Sequence, residues 1–221
     1  MLNPEEKEKI ESLKVQFWRS KDRERRLEIL NQIEQELYGI ETTALVREIL
    51  GSEEEEFRLR AVELLAGNIS PEILPALDQA LDDGSEQVRL AAVSAVGEVR
   101  DDAVVGFFAR VFHDLSADVR FSGLNALDGQ TTDRRLKILG KALQAPDATV
   151  QLGAIDVLQM ESTPASIEVL FNALDSADPK VQDEARFSLD FIVDQEFRSA
   201  ADARAWWRKH RDEFDHELTR K

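Results

Sequence analysis

The segment "SEQVRLAAVSAVGEV", Ser85 to Val99, reads as an amphipathic helix, and a near copy, "SADVRFSGLNALDG", begins 31 residues later at Ser116. Upstream at the same distance stands "EEFRLRAVELLAG", Glu55 to Gly67. A fixed interval of this size marks a chain built from stacked repeats. One large apolar residue recurs at Phe57, Val88, Val119, Val150 and Val181, each 31 positions from the last. Four positions after this marker stand Ala61, Ala92, Gly123, Ala154 and Ala185, and eight positions after it Leu65, Val96, Leu127, Leu158 and Leu189. A small residue followed one helical turn later by a large one describes a helix closely approached by its neighbours. A second apolar set, Leu77, Phe108, Leu139 and Leu170, with Leu81, Phe112, Leu143 and Leu174, keeps the same period. Each repeat therefore holds two helices.

The ends of these helices have chemical causes. Ser70-Pro71, Thr163-Pro164 and Asp178-Pro179 place a capping side chain before a proline, whose missing N–H is not needed in the first helical turn. Gly51, Gly67, Gly84 and Gly129 follow apolar runs, where left-handed C-terminal caps are expected. No strand-like alternation is present. Helices of about eleven residues are marginal alone and must be stabilised by burying an apolar stripe against neighbouring repeats.

Composition narrows the function classes. The chain has 221 residues, 43% of them hydrophobic and 33% charged, with a net charge of -16. Such an acidic surface repels phosphate backbones, so neither nucleic acid nor a membrane surface is expected as a partner. No apolar run is long enough to cross a bilayer, and "MLNPEEKEKIESLK" lacks the apolar core of a signal peptide, so a cytoplasmic location is expected. The sequence contains no cysteine, which excludes disulfides, thiolate metal sites and a cysteine nucleophile.

Catalytic motifs are missing as well. There is no Gly-x-Ser-x-Gly elbow and no phosphate-binding Gly-x4-Gly-Lys-Ser/Thr loop. His210 and His216 are six residues apart, which puts them on different faces of a helix. The acidic run "SEEEEF" fits a solvated helix start, where carboxylates complement the macrodipole. No enzyme activity, cofactor or metal is expected.

The turns "LDDGSEQVRLAAVSAVG", "FHDLSADVRFSGLNALD", "LQAPDATVQLGAIDVLQ" and "LDSADPKVQDEARFSLD" resemble the HEAT-repeat family, also described as armadillo-like or PBS-lyase HEAT-like repeats. The resemblance implies an all-α, right-handed α-solenoid of about five two-helix repeats over residues 40–195. The whole of 1–221 then forms one domain, with a helical N-terminal cap over 1–39 and a C-terminal capping helix over 196–221. It also implies that Arg58, Arg89 and Arg120, directly after the marker, join an internal ladder to turn aspartates such as Asp83 and Asp114. Gln151 and Gln182 depart from that ladder. His113-Asp114 and His216-Glu217 are similar to the His-Glu pairs of HEAT-like iron hydroxylases, but the several facing pairs those enzymes need are missing. The basic groove of HEAT-like DNA glycosylases is missing too.

At the N-terminal end, Asn3-Pro4 is expected to start a helix with Ile10, Leu13 and Phe17 on one face, and Asp22 a second with Leu27, Leu30 and Leu37. At the other end, Ser199 and Asp202 start a helix with Ala203, Trp207, His210 and Phe214 at helical spacing. Trp206 and Trp207 are expected to seal the last repeat.

By the same resemblance, the second helix of each repeat lines a concave surface, its positions two, six and nine after the marker pointing outward. The candidate partner-binding residues are Leu59, Glu63, Leu90, Ser94, Phe121, Asn125, Asp128, Leu152, Asp156, Phe187 and Asp190. They form an apolar ribbon bordered by carboxylates, suited to an amphipathic helix or an extended peptide with apolar anchors and basic flanks. Cover by the next helix would account for the ribbon equally; self-association is a third reading. The expected function is a non-catalytic scaffold or adaptor for a protein or peptide partner; the alternative is an assembly chaperone similar to the HEAT-type bilin lyases.

Overall fold

The computed structural model describes residues 4–36, 40–67 and 69–221, so Asn3 and Leu37 lie outside the described residues. The chain divides into two compact units, the first ending at Val104 and the second beginning at Val105.

In the first unit, α1 (Pro4–Arg19) and α2 (Arg23–Glu36) precede two helix pairs. The first pair is α3 (Ile40–Ile49) with α4 (Glu55–Ala66). The second is α5 (Leu74–Ala80) with α6 (Glu86–Gly97). Phe17 of α1 is fully buried, and its ring meets Phe57 of α4 edge-on at 5.5 Å. The Arg26 guanidinium of α2 lies 5.4 Å and 5.3 Å from the same two rings. Arg23 holds Glu56 through two bonds of 2.6 Å. These contacts seat α2 on α4 outside the 31-residue register, with Ile29, Leu30 and Ile33 buried beneath it. Asp22 caps α2 as expected, its Oδ1 accepting from the Glu24 N–H at 2.9 Å.

The second unit holds three helix pairs and a final helix. The pairs are α7 (Val104–Val111) with α8 (Ala117–Asn125), α9 (Thr132–Ala142) with α10 (Ala148–Glu161), and α11 (Pro164–Leu170) with α12 (Pro179–Val193). The final helix is α13 (Ala200–His210). Among the described residues no strand forms; Phe214 and Arg220 make an isolated bridge.

Every register position read from the sequence lies in a core. The five marker residues, the small residues four positions on and the large residues eight positions on are all buried. So are both rows of the first helices. Fully burying one such aliphatic side chain contributes about 1.5–3 kcal/mol, which is how helices of seven to fifteen residues persist here.

The helix starts follow the sequence with one exception. Thr163 forms a capping box with Ser166, and Asp178 accepts from the Lys180 N–H. Ser70 makes no cap bond; its hydroxyl turns to Glu72, whose carboxyl it holds below the usual range. The expected glycine caps at Gly51, Gly67 and Gly84 are corrected. Gly67 is right-handed at φ -73, and neither Gly51 nor Gly84 has a left-handed backbone. At Gly51 the α3 end tightens into a three-residue turn through an N–H bond to Glu48 at 2.9 Å, which satisfies an end carbonyl without positive φ. Left-handed caps form at Ser162 (φ 44) and Asp194 (φ 51).

The turn ladder is more complete than the sequence suggests. Each marker-plus-one residue donates to the backbone carbonyl six positions earlier: Arg58 to Ser52, Arg89 to Asp83, Arg120 to Asp114, Gln151 to Ala145 and Gln182 to Ser176. Arg58 also grips the Asp83 carboxylate of the next turn, and Arg120 grips Asp147. Gln151, read as a departure, keeps both halves, because its Oε1 accepts from Ser176 Oγ at 2.7 Å. An amide supplies the donor and the acceptor that this site needs, so arginine is replaceable.

Candidate functional site

The outward positions differ in exposure along the chain. In the first unit, Leu59 of α4 and Leu90 of α6 are half-buried, while Glu63 and Ser94, one turn on, are exposed. Glu63 pairs with Arg60 at 3.2 Å, and Arg60 also holds Glu34.

The face of the second unit is more open. Phe121 on α8 is 44% exposed and Phe187 on α12 is 61% exposed. Leu152 on α10 is half-buried, and Asn125, Asp128 and Asp156 are exposed. Asp128 and Asp156 form no hydrogen bond or ion pair among the described residues. Asp190 is half-buried and structural in its bonding: it accepts from the Phe197 N–H at 3.0 Å. Burial pushes its carboxyl above the usual range, more than that bond lowers it.

Two residues of this face escaped the sequence reading. Met160 on α10 is 85% exposed and Phe191 on α12 is 68% exposed. Each stands four positions after a residue already read as outward, Asp156 and Phe187, and the helical i, i+4 rule would have found both.

Helices α8 and α10 pack together, as do α10 and α12. Gln159 of α10 accepts from Ser188 Oγ of α12 at 3.1 Å. Leu124 of α8 presses on Gly153 of α10, where an added Cβ would stand 2.7 Å from Leu124 Cδ1. The ends of α8 and α10 and the start of α9 enclose a cleft of about 480 Å³. Leu124, Asn125, Asp128, Val157 and Met160 line it, and its other wall is the Arg135–Glu161 ion pair.

The tryptophans at the C-terminus form a cap. Trp207 is buried and stacks on Phe214 with ring centres 5.9 Å apart. Trp206 is half-buried, stacks on His210 at 4.7 Å and meets Phe197 edge-on at 5.6 Å. Ser199 Oγ caps the helix, accepting from the Asp202 N–H at 3.1 Å. His113 Nδ1 lies 2.8 Å from the Ala109 carbonyl oxygen, and His216 is solvent-exposed. Among the described residues no group of three or more His, Asp or Glu side chains is placed to hold a metal. Among them, too, no helix is long and apolar enough to cross a membrane.

Paired helices with a conserved internal register and helical caps define the armadillo-like class of α-solenoid repeat proteins. Within it, residues 42–128 match the family model described as HEAT repeats. No curated protein matches the sequence. Among solved structures, Cex1p is similar at 16% identity and a TM-score of 0.53, over 87% of this chain and 44% of its own. Escherichia coli YibA is similar at 17% identity and a TM-score of 0.46, over 88% of this chain and 77% of its own. Human deoxyhypusine hydroxylase is similar at 17% identity and a TM-score of 0.41, over 94% of this chain and 91% of its own. At such identities the likeness concerns the fold alone.

Proposed function

We propose that this protein is a non-catalytic interaction module that binds a protein or peptide partner on the outward face of its second helices. The observation that carries the reading is the exposure of Phe121, Met160, Phe187 and Phe191 on adjacent helices of one unit. Isolated surface apolar residues need no explanation, but several on one face, edged by carboxylates, resemble the centre and rim of an interface. The carboxylates favour a partner with basic groups and disfavour nucleic acid.

A photo-crosslinking residue placed at Phe187, and separately at exposed Lys141 on the first helix of a repeat, tests the reading in cells that make the protein. A discrete adduct from position 187 that is lacking at 141 supports it. Equal adducts at both positions, or none at 187, sink it.

A further inference from the structure

The shape and chemistry of the second unit's face select one kind of occupant. Leu124 on α8 and Val157 and Met160 on α10 line the cleft, and Met160 shares its register position, ten after the marker, with exposed Phe191 on the packed neighbour α12, one turn beyond Phe187. Packed helices lie about 8–10 Å apart, so a band crossing three of them is roughly 16–20 Å long. That length matches an α-helix of roughly 11–13 residues.

The face offers little to a chain that lacks internal hydrogen bonds. An extended segment must find partners for its backbone N–H and C=O groups. Of the side-chain amides here, Asn125 has no bond among the described residues, whereas Gln159 is engaged with Ser188. A helix satisfies its own backbone and needs only an apolar seat. Charge fixes the flank of that helix. Asp128 and Asp156 border the band without partners among the described residues. The segment forming α10 contains no Lys or Arg. The neighbouring cations Arg135 and Arg186 are tied to Glu161 and Asp183.

We propose that this face seats one amphipathic helix of a partner protein, its apolar stripe laid across Met160, Phe187 and Phe191. The stripe's end side chain enters the α8–α10 cleft, and a Lys- or Arg-rich flank lies over Asp128 and Asp156. This rests on the interaction reading above and specifies the partner.

The test uses the full chain and three synthetic peptides of about 18 residues, a length that covers the band with a turn to spare at each end. One repeats Leu at i, i+3, i+4 and i+7 with Lys along one flank. The second has the same composition scrambled to remove that periodicity, and the third carries Glu in place of Lys. Binding is followed by fluorescence anisotropy at two salt concentrations, and helix formation by circular dichroism. The periodic Lys peptide should bind and become helical, with each of the other two at least roughly tenfold weaker. Phe187→Ser/Phe191→Ser should weaken it by roughly tenfold. Asp128→Asn/Asp156→Asn should weaken it and reduce its salt dependence. All four side chains are exposed, so both variants should melt with the parent, and a variant that does not is replaced by its single substitutions. Equal binding of the scrambled peptide, or of the two variants, overturns the proposal. So does failure of the periodic Lys peptide to bind at ~100 µM, well above the range of specific helix-in-groove contacts. A crosslinked adduct at Phe187 alongside such a failure would retain the interaction module and reject the helical occupant.

Discussion

Arg58 and Asp83, 25 residues apart in sequence, face each other in a two-pronged pair with Nε to Oδ2 at 2.7 Å and Nη2 to Oδ1 at 2.9 Å. Asp83 Oδ1 also accepts from the Ser85 N–H at 2.8 Å, so one carboxylate ties α4 to the turn that starts α6. Only 8% of the aspartate side chain and 17% of the arginine side chain are exposed. Losing the acceptor leaves a largely buried guanidinium short of a partner, which costs about 1–3 kcal/mol. Asp83→Ala should therefore lower the urea midpoint, while Gln87→Ala on the exposed side of α6 should leave it nearly unchanged.

The same carboxylate makes stability depend on acid. Burial pushes the Asp83 carboxyl up, but Arg58 and the Ser85 N–H outweigh it and hold it below its ordinary 3.8. Asp147 is held low by the Thr149 N–H and by Arg120, against burial. A depressed folded value means that the stabilisation is fully present above the unfolded carboxylate range and lost as pH falls through the folded value. Denaturant titrations below about pH 4 should show stability falling. Asp83→Asn/Asp147→Asn should flatten that slope. Asp190 has the opposite sign: burial raises its folded value above the ordinary 3.8, so stability is regained as pH falls through that folded value, and Asp190→Asn should remove that gain.

One substitution should change sign with position. A Cβ on Gly123 would stand 2.7 Å from Val111 Cγ1 and 3.0 Å from Phe112 Cε1, so Gly123→Ala should destabilise by about 1–3 kcal/mol. On Gly106, within α7, a Cβ meets nothing within 4 Å. There alanine should stabilise by about 0.5–1 kcal/mol through helix propensity. Thermal melts of the two variants, displaced in opposite directions, check both.

The C-terminal cap predicts a difference between adjacent tryptophans. Trp207 is 3% exposed and its indole N–H has no hydrogen-bond partner among the described residues, so its contribution is apolar packing on Phe214. Trp207→Ala should cost about 3–5 kcal/mol, and Trp207→Phe much less. Trp206→Ala should cost less than Trp207→Ala, because half-buried Trp206 leaves a smaller void. Unfolding monitored by circular dichroism at a helical wavelength separates the three.

At the start of α11, Thr163 Oγ1 accepts from the Ser166 N–H at 3.1 Å while Ser166 Oγ accepts from the Thr163 N–H at 2.9 Å. Thr163→Ala should cost about 0.5–2 kcal/mol. Hydrogen exchange should rise first in the opening turn of α11.

The candidate face was only partly legible. Phe121 and Phe187 were found because their distance from the marker fixes their side of the helix. Met160 and Phe191 were passed over although they follow the same rule one turn on. Position nine points Asp190 outward, while its bond to the Phe197 N–H depends on where the chain turns after α12, which no periodicity encodes. The expected cap at Gly51 gave way for a similar reason: a three-residue turn and a left-handed cap satisfy the same carbonyls, and composition does not choose between them.

By itself the sequence determined the repeat length, the two helices of each repeat, their buried stripes and the arginine and glutamine positions of the ladder. All of these follow from the 3.6-residue period of the helix and from the burial of apolar side chains, which act through near neighbours in the chain. Tertiary structure alone decided how far Leu152 is covered while Phe187 stands open, which carboxylate each arginine grips, and that α8, α9 and α10 leave a cleft between them. Those outcomes depend on how packed helices offset one another, as where Leu124 meets Gly153, and on side chains far apart in sequence competing for the same space.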